Sequence, residues 1–369
     1  MNAIQVNFMD KIKYSNDELR RVQDEWKRFL QGELSKPMIF FETVFDKSYR
    51  FDNPILEKRR IFFSYPPEVS ADEIIEIEDA YLKCLAFPGD SYPCISLDFG
   101  PGSLSAYMGA RVDVRDSVWF FPTAKRLADI PEYIDTECCL YKRVHDILRA
   151  ATQKWADTPV QIQTSDMGNN LDILAALRGT ENLLLDLFDE PELVKQKLKK
   201  ITSAWKLSYQ AEYEKIAALS GGYTAGALGV LAEGKTFRLQ SDFAYMISPE
   251  MYEEFVLPDI MELADYLDEP CYHLDGEPQL CHLSFLLQIK KIRAIEFVPG
   301  TGNKPPKEWT EVYRQIHNAG KQCLSYIISV KEALELKEAM GGSLRGFGLY
   351  IGEYMPFDEA EELYKKLIS

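Results

Sequence analysis

Several reactive side chains in this chain fall at the ends of short apolar runs. The run Cys271-Tyr-His273-Leu-Asp275-Gly276 is the most telling. In an extended strand, residues two apart share a face, so Cys271, His273 and Asp275 point one way while Tyr272 and Leu274 point the other. A histidine with a carboxylate two residues on suits metal ligation, or proton transfer by an imidazole whose tautomer the carboxylate fixes. The other histidines, His145, His282 and His317, fall in helix-period segments. The same alternation puts Arg238, Gln240 and Asp242 on one face, and Glu296 stands between the apolar Ile295 and Phe297. Asp166 closes Thr164-Ser165-Asp166, Cys323 and Ser325 lie in a seventh apolar run, and Glu353 follows an eighth. If the apolar sets pack against helices, the polar sets open onto one common mouth. The alternative is an internal ion-pair network in which Arg238 neutralises Asp242 or Glu296. Gathering so many ionisable groups at one mouth is costly without a chemical use.

Such a mouth needs strands that all end on the same side. Runs rich in strand formers occur at 94–99, 160–163, 223–231, 237–241, 271–274, 294–298, 322–327 and 347–351. Helix-period segments separate most of them. In the clearest, Glu192 to Ala218, the residues Val194, Leu198, Ile201, Trp205 and Tyr209 recur every three or four positions as one buried stripe. Ser248 with Pro249 starts a further helix, Gly320 and Gly341 suit the left-handed residue after a helix, and Asp358 with Glu361 caps the last one. Eight strands alternating with helices predict an α/β fold, a (β/α)₈ TIM barrel, whose reactive groups stand at the carboxyl ends of the strands. An open doubly wound sheet is disfavoured, because Phe99-Gly100-Pro101-Gly102-Ser103 lacks the third glycine of a dinucleotide loop and its proline removes an amide. Ahead of the barrel, residues 1–90 read as an α+β extension. It has a capping box at Ser15 and Glu18, apolar runs at Met38 and Ile61, and a second helix capped by Ser70. The barrel then occupies residues 91–369.

Charge narrows the partners. With 58 acidic against 42 basic residues the formal charge is −16, which repels nucleic-acid backbones and anionic lipid surfaces. No apolar run approaches the ~20 residues of a membrane span, and the start lacks the basic-then-apolar order of a signal peptide, so the expected location is the cytoplasm. Seven cysteines, two of them adjacent and none in a CxxC pair, predict reduced thiols rather than a disulfide framework.

At these residues the chain resembles a known family. The stretch from Asp166 to Gly179, the run from Ser241 to Pro258, the strand end Tyr272-His-Leu-Asp-Gly and the segment from Phe297 to Trp309 are similar to the uroporphyrinogen decarboxylase superfamily. The likeness spans roughly residues 94 to 369. It implies the barrel fold, with His273, Asp275, Asp166 and Asp242 as catalytic candidates and Arg238, Gln240, Glu296 and Asn169 as substrate-binding candidates.

The family divides in two. Its decarboxylases take a polycarboxylate tetrapyrrole without a cofactor, and carry an arginine-rich segment near the N-terminus that this chain lacks. Its methyltransferase-like branch moves a methyl group to or from a corrinoid borne by a separate protein, with zinc held by an H-x-C pair and a distant cysteine. This chain is closer to that branch. Here His273 keeps the histidine position, Asp275 stands where the first cysteine belongs, and Gly352-Glu-Tyr-Met-Pro offers no distant cysteine. Zinc retained here would use His273, Asp275 and Glu353 or Cys323. No D-x-H-x-x-G segment binds a corrinoid within the chain itself, so the corrinoid would come from a partner. The resemblance therefore implies a small-molecule methyltransferase. A decarboxylase, which would need no cofactor, and a non-catalytic binding barrel are the alternatives. An acidic mouth with Arg238 as its one assignable base should prefer a neutral or cationic ligand. Tyr272 and Tyr326 could offer it aromatic faces, although their strand phase points them outward.

Overall fold

The protein, seen in a computed structural model, is described over residues 11–46, 54–115, 117–300, 302–325 and 327–369. It is a mixed α/β structure built on two mainly parallel sheets. The larger is six-stranded, in the order Met38–Phe41, Phe347–Ile351, Gln322–Ser325, Ala294–Val298, Cys271–Asp275 and Arg238–Gln240, all parallel. The smaller runs Cys94–Ser96, Gln161–Gln163 and Tyr223–Ala225 in parallel, then adds Leu231–Glu233 antiparallel. The expected single strand at 223–231 is thus a hairpin. The first ninety residues contribute a strand, Met38–Phe41, to the edge of the larger sheet.

No continuous barrel ladder closes among the described residues. Side chains, not ladder bonds, link strand backbone of the larger sheet to segments that flank the smaller one. At one seam Asp90 Oδ2 accepts the Ile39 amide at 2.9 Å and Ser91 Oγ accepts the Phe41 amide at 2.8 Å. At the other, Asn169 Oδ1 accepts the Gln240 amide at 3.1 Å. Buried backbone donors must be satisfied, and here polar side chains do it.

Two apolar layers follow from strand alternation. Met38, Cys271, Ala294 and Leu324 of the larger sheet share an inner cluster with Ala225 and Leu231 of the smaller one. Trp26 and Phe29 of the helix Asn16–Leu30 join that cluster. Gly348 leaves room at this plug: a Cβ there would lie 2.7 Å from Leu324 Cδ2, so Leu324 would have to shift, and would touch both Trp26 and Phe29 at 3.5 Å. The residues of opposite phase, among them Tyr272, Ile295, Phe297 and Cys323, pack outward beneath the helices. The longest helix, Pro191–Ser220, buries Val194, Leu198, Ile201, Trp205 and Tyr209 as the periodicity predicts.

The capping box forms at Ser15 and Glu18, and Ser248 caps its helix through the Met251 amide. The last helix starts one residue before Asp358, with Pro356 at the cap, because Met355–Pro356 is drawn into a short strand pair with Val44–Phe45. The Ile61 run is a 3-10 turn at Phe62–Ser64 rather than a strand. Ser15→Ala removes one side of the capping box and should lower stability by about 1 kcal/mol. A thermal melt would show this as a drop of a few degrees; an unchanged melt would mean that the helix is held by Trp26 and Phe29 alone. No helix of the described residues is long and apolar enough to cross a membrane.

Candidate functional site

The carboxyl ends of both sheets meet. The Asp166 carbonyl accepts the Gly102 and Ser103 amides at 3.1 and 3.0 Å, tying together the loops that leave the first two strands of the smaller sheet. Asp172, in the first turn of the helix Asn170–Arg178, accepts the Asp242 amide at 2.9 Å and the Phe243 amide at 2.7 Å. That bridge joins the smaller sheet to the turn Asp242–Met246 of the larger one. His282 adds a second brace, its Nε2 lying 3.0 Å from the Ala244 carbonyl.

At the centre stand His273 and Glu296, opposite each other in the ladder. His273 Nδ1 is 2.7 Å from Glu296 Oε2, and Arg238 Nη1 is 2.8 Å from the same oxygen. Arg238 thus neutralises Glu296 rather than Asp242. Burial works against the charge of Glu296, but Arg238 and then His273 outweigh it, so its carboxyl sits below the usual range. Burial likewise opposes a charged His273, yet Glu296 outweighs that and leaves the imidazole above its ordinary value. With Nδ1 engaged by Glu296, His273 turns Nε2 toward Asp275, whose Oδ2 is 3.9 Å away.

His273, Asp275 and Asp242 each offer a ligand atom, and the three atoms lie within 4.8 Å of one another. Ligands about 2.1 Å from a tetrahedral ion lie roughly 3.4 Å apart, so this group is close to the spacing a metal needs. The engaged Nδ1 is the usual second partner of a metal-bound imidazole. One nitrogen and two carboxylates make a harder donor set than thiolates, and they fit zinc among other divalent ions.

The remaining candidates separate clearly. Cys323 does not join the group; its strand phase turns it outward, where it is fully buried with its Sγ 3.7 Å from the Tyr313 carbonyl. Glu353 is exposed after the strand Phe347–Ile351 and also stands outside the group. Glu296 is enclosed behind His273, so it supports the site rather than lining it for substrate. Asn169 is likewise buried and staples the seam to Gln240. Asp166 is half-buried beside Arg238 in a narrow gap between the sheets, and burial raises its carboxyl although Arg238 opposes the shift. Tyr272 bonds Tyr252 in the outer core at 3.1 Å, while Tyr326 lies outside the described residues.

Asp172 was not legible as a site residue. An acid in a first helical turn reads as a dipole partner, and only the fold shows it gripping another element. Burial, then the neighbouring Asp242, pushes its carboxyl up to about 7. Arg59 and Arg60 are a second omission. They line a cavity of about 380 Å³ on the inner face, with Phe40, Tyr92 and Tyr350. Arg59 Nε is 3.1 Å from Glu78, and its guanidinium lies 3.6 Å over the Tyr81 ring.

Among solved structures the chain is similar to a methyltransferase from Methanosarcina mazei, with a TM-score of 0.61 and 14% sequence identity, over 94% of this chain and 97% of that one. The likeness is one of fold across nearly the whole length. No family model and no curated protein matches the sequence.

Proposed function

We propose that the two sheets are the halves of a distorted (β/α)₈ barrel, and that the protein is a methyltransferase-type enzyme moving a methyl group between a small molecule and a corrinoid carried by a separate protein. The observation that carries this reading is the convergence of His273 Nε2 with the carboxylates of Asp242 and Asp275, backed by Glu296, where the sheets' carboxyl ends meet. The fold likeness to a methyltransferase supports the reaction class. His273, Asp275 and Asp242 would hold the metal. Zinc bound there supplies a Lewis acid that keeps a thiol acceptor deprotonated near neutral pH. Glu296 fixes the His273 ring, and Asp172 fixes the turn that bears Asp242.

A protein partner is supported by the surroundings of the mouth. Ile61, Trp119, Tyr245, Met246, Ile327 and Tyr354 are large, apolar and exposed, and each lies on a connection that leaves the carboxyl end of a sheet strand. Exposed apolar groups on connections that leave one end of the strands suit an interaction surface, although Tyr133, Phe188 and Leu207, on other segments, are more exposed still. The decarboxylase alternative gains one observation, the arginines Arg59 and Arg60 in the cavity of about 380 Å³. Glu42, Glu78 and Asp98 line the same cavity, so it lacks the positive excess that a polycarboxylate requires.

The test is metal titration together with methyl exchange. Wild type should bind one zinc ion, and His273→Ala should weaken it by more than about 100-fold, beyond the loss typical of an outer-shell change. Demethylation of free methylcob(III)alamin by a small thiol should be His273-dependent. Tight, His273-dependent binding and turnover of a porphyrinogen-like polycarboxylate, without methyl exchange, would transfer the assignment to the decarboxylases. Binding without any turnover would leave a non-catalytic barrel.

A further inference from the structure

Asp242 lies between two spaces. On one side are His273 and Asp275; on the other is a cleft of about 410 Å³ that Asp242 shares with Asp172. The cleft's walls are mostly apolar, with Phe120, Phe243 and Met246 as the large side chains. No lysine, arginine or histidine lines it. Neither Asp172 nor Asp242 has an ion pair with a basic side chain among the described residues; Asp172 accepts from the Asp242 and Phe243 amides, which orient it. The Ser105 hydroxyl supplies an independent observation. It lines the same cleft, is 1% exposed, and has no hydrogen-bond partner.

We propose that this cleft binds a compact methylated ammonium cation with a neutral hydroxyl tail, its charge against Asp172 and its tail on Ser105. A hard metal ion would want oxygen donors on every side, whereas these walls offer rings and a thioether. Such surfaces favour a large, weakly hydrated cation, whose methyl groups pack on aromatic faces while the carboxylates compensate its charge. A carboxylate tail would be repelled by the two acids, and an unpartnered buried hydroxyl is best satisfied by a neutral group able to donate or accept. The position deepens the methyl-transfer reading in the direction of the corrinoid: the N-methyl carbon would pass to the cob(I)alamin of the partner protein, the C–N bond breaking as the Co–C bond forms and the neutral tertiary amine leaving. It rests on that reading only for the ligand's fate, not for its binding.

The experiment is calorimetric titration of the full chain at pH 8, where Asp172 is ionised, with choline, tetramethylammonium, glycine betaine and 3,3-dimethylbutan-1-ol, the uncharged isostere of choline. Choline should bind at least about tenfold more tightly than the isostere and more tightly than betaine. Ser105→Ala should weaken choline severalfold and leave tetramethylammonium unchanged. Phe120→Ala should weaken both cations. Asp172→Asn should remove the preference for charge. If that variant does not fold, the Ser105 and Phe120 variants decide. Equal binding of choline and its isostere, no binding of either, or a Ser105→Ala loss shared by tetramethylammonium would overturn the proposal. Choline bound without methyl exchange sustains the cleft assignment and removes the enzymatic one; methyl exchange without choline binding does the reverse.

Discussion

Replacing Glu296 with alanine should destabilise the protein by about 3–5 kcal/mol, the usual loss when one member of a buried ion pair is removed. Glu296 is fully buried, and one of its oxygens serves both Arg238 and His273. Their side chains are themselves only 19% and 10% exposed, so water can replace little of the lost partner. Truncation therefore takes from both groups the carboxylate that each hydrogen-bonds and adds a cavity. Glu296→Gln separates charge from shape. It can still accept a hydrogen bond from His273, so it should fold, but it no longer favours the donor at Nδ1 over the opposite tautomer. Zinc affinity should fall by about 10–100-fold in that variant, as for other changes behind a metal-bound histidine. Urea unfolding at neutral pH measures the first effect and metal titration the second. A loss below about 1 kcal/mol in Glu296→Ala would show that Arg238 and His273 find other compensation.

How much of this was legible in the sequence depends on which residues carry each feature. Alternation alone placed Cys271, His273 and Asp275 on one face, and Arg238 with Asp242 on another, because a strand's period is set by local backbone geometry. That Glu296 would stand directly beside His273 is a matter of register between two strands, which neither strand encodes by itself. Cys323 shows the cost of weighing residue type ahead of phase. Its neighbours Gln322 and Leu324 take the opposite face, so its thiol had to turn outward. The run at Met38 was readable as part of the N-terminal extension, but its pairing was not, because its partner strand comes from the far end of the chain. The helix from Ser15 was plain from its capping box, but its task of plugging the inner cluster with Trp26 and Phe29 was not. Asp172 and Ser105 were hidden for a related reason. Both lie in helices whose local pattern explains them without reference to a site, and only the approach of another element gives them a second role.

Glu212 should contribute stability that is lost as pH rises from about 4.5 to about 7, against an opposite slope from His145, whose imidazole burial pushes down to about 4. This glutamate lies mid-way along the helix Pro191–Ser220, fully buried, and accepts the Ser165 amide at 2.8 Å and its hydroxyl at 2.7 Å. Burial pushes its carboxyl up to about 7, the two hydrogen bonds from Ser165 opposing the shift. The folded state then holds a proton that the unfolded chain releases near pH 4.5, so this contribution is complete below that value and is lost as pH climbs through about 7. The shift corresponds to something on the order of 3 kcal/mol. Asp172 and Asp259 are also pushed up to about 7 by burial, and they add to the slope in the same direction. Glu212→Gln isolates one contribution, since an amide keeps the size, still accepts from Ser165 and does not titrate. In unfolding series from pH 5 to pH 8, the variant should gain on the wild type by up to about 3 kcal/mol as pH rises. A difference that stays flat across that range would mean that the two Ser165 bonds hold Glu212 ionised throughout. Its role would then be to fix the backbone next to Asp166 by charge, with no proton to lose.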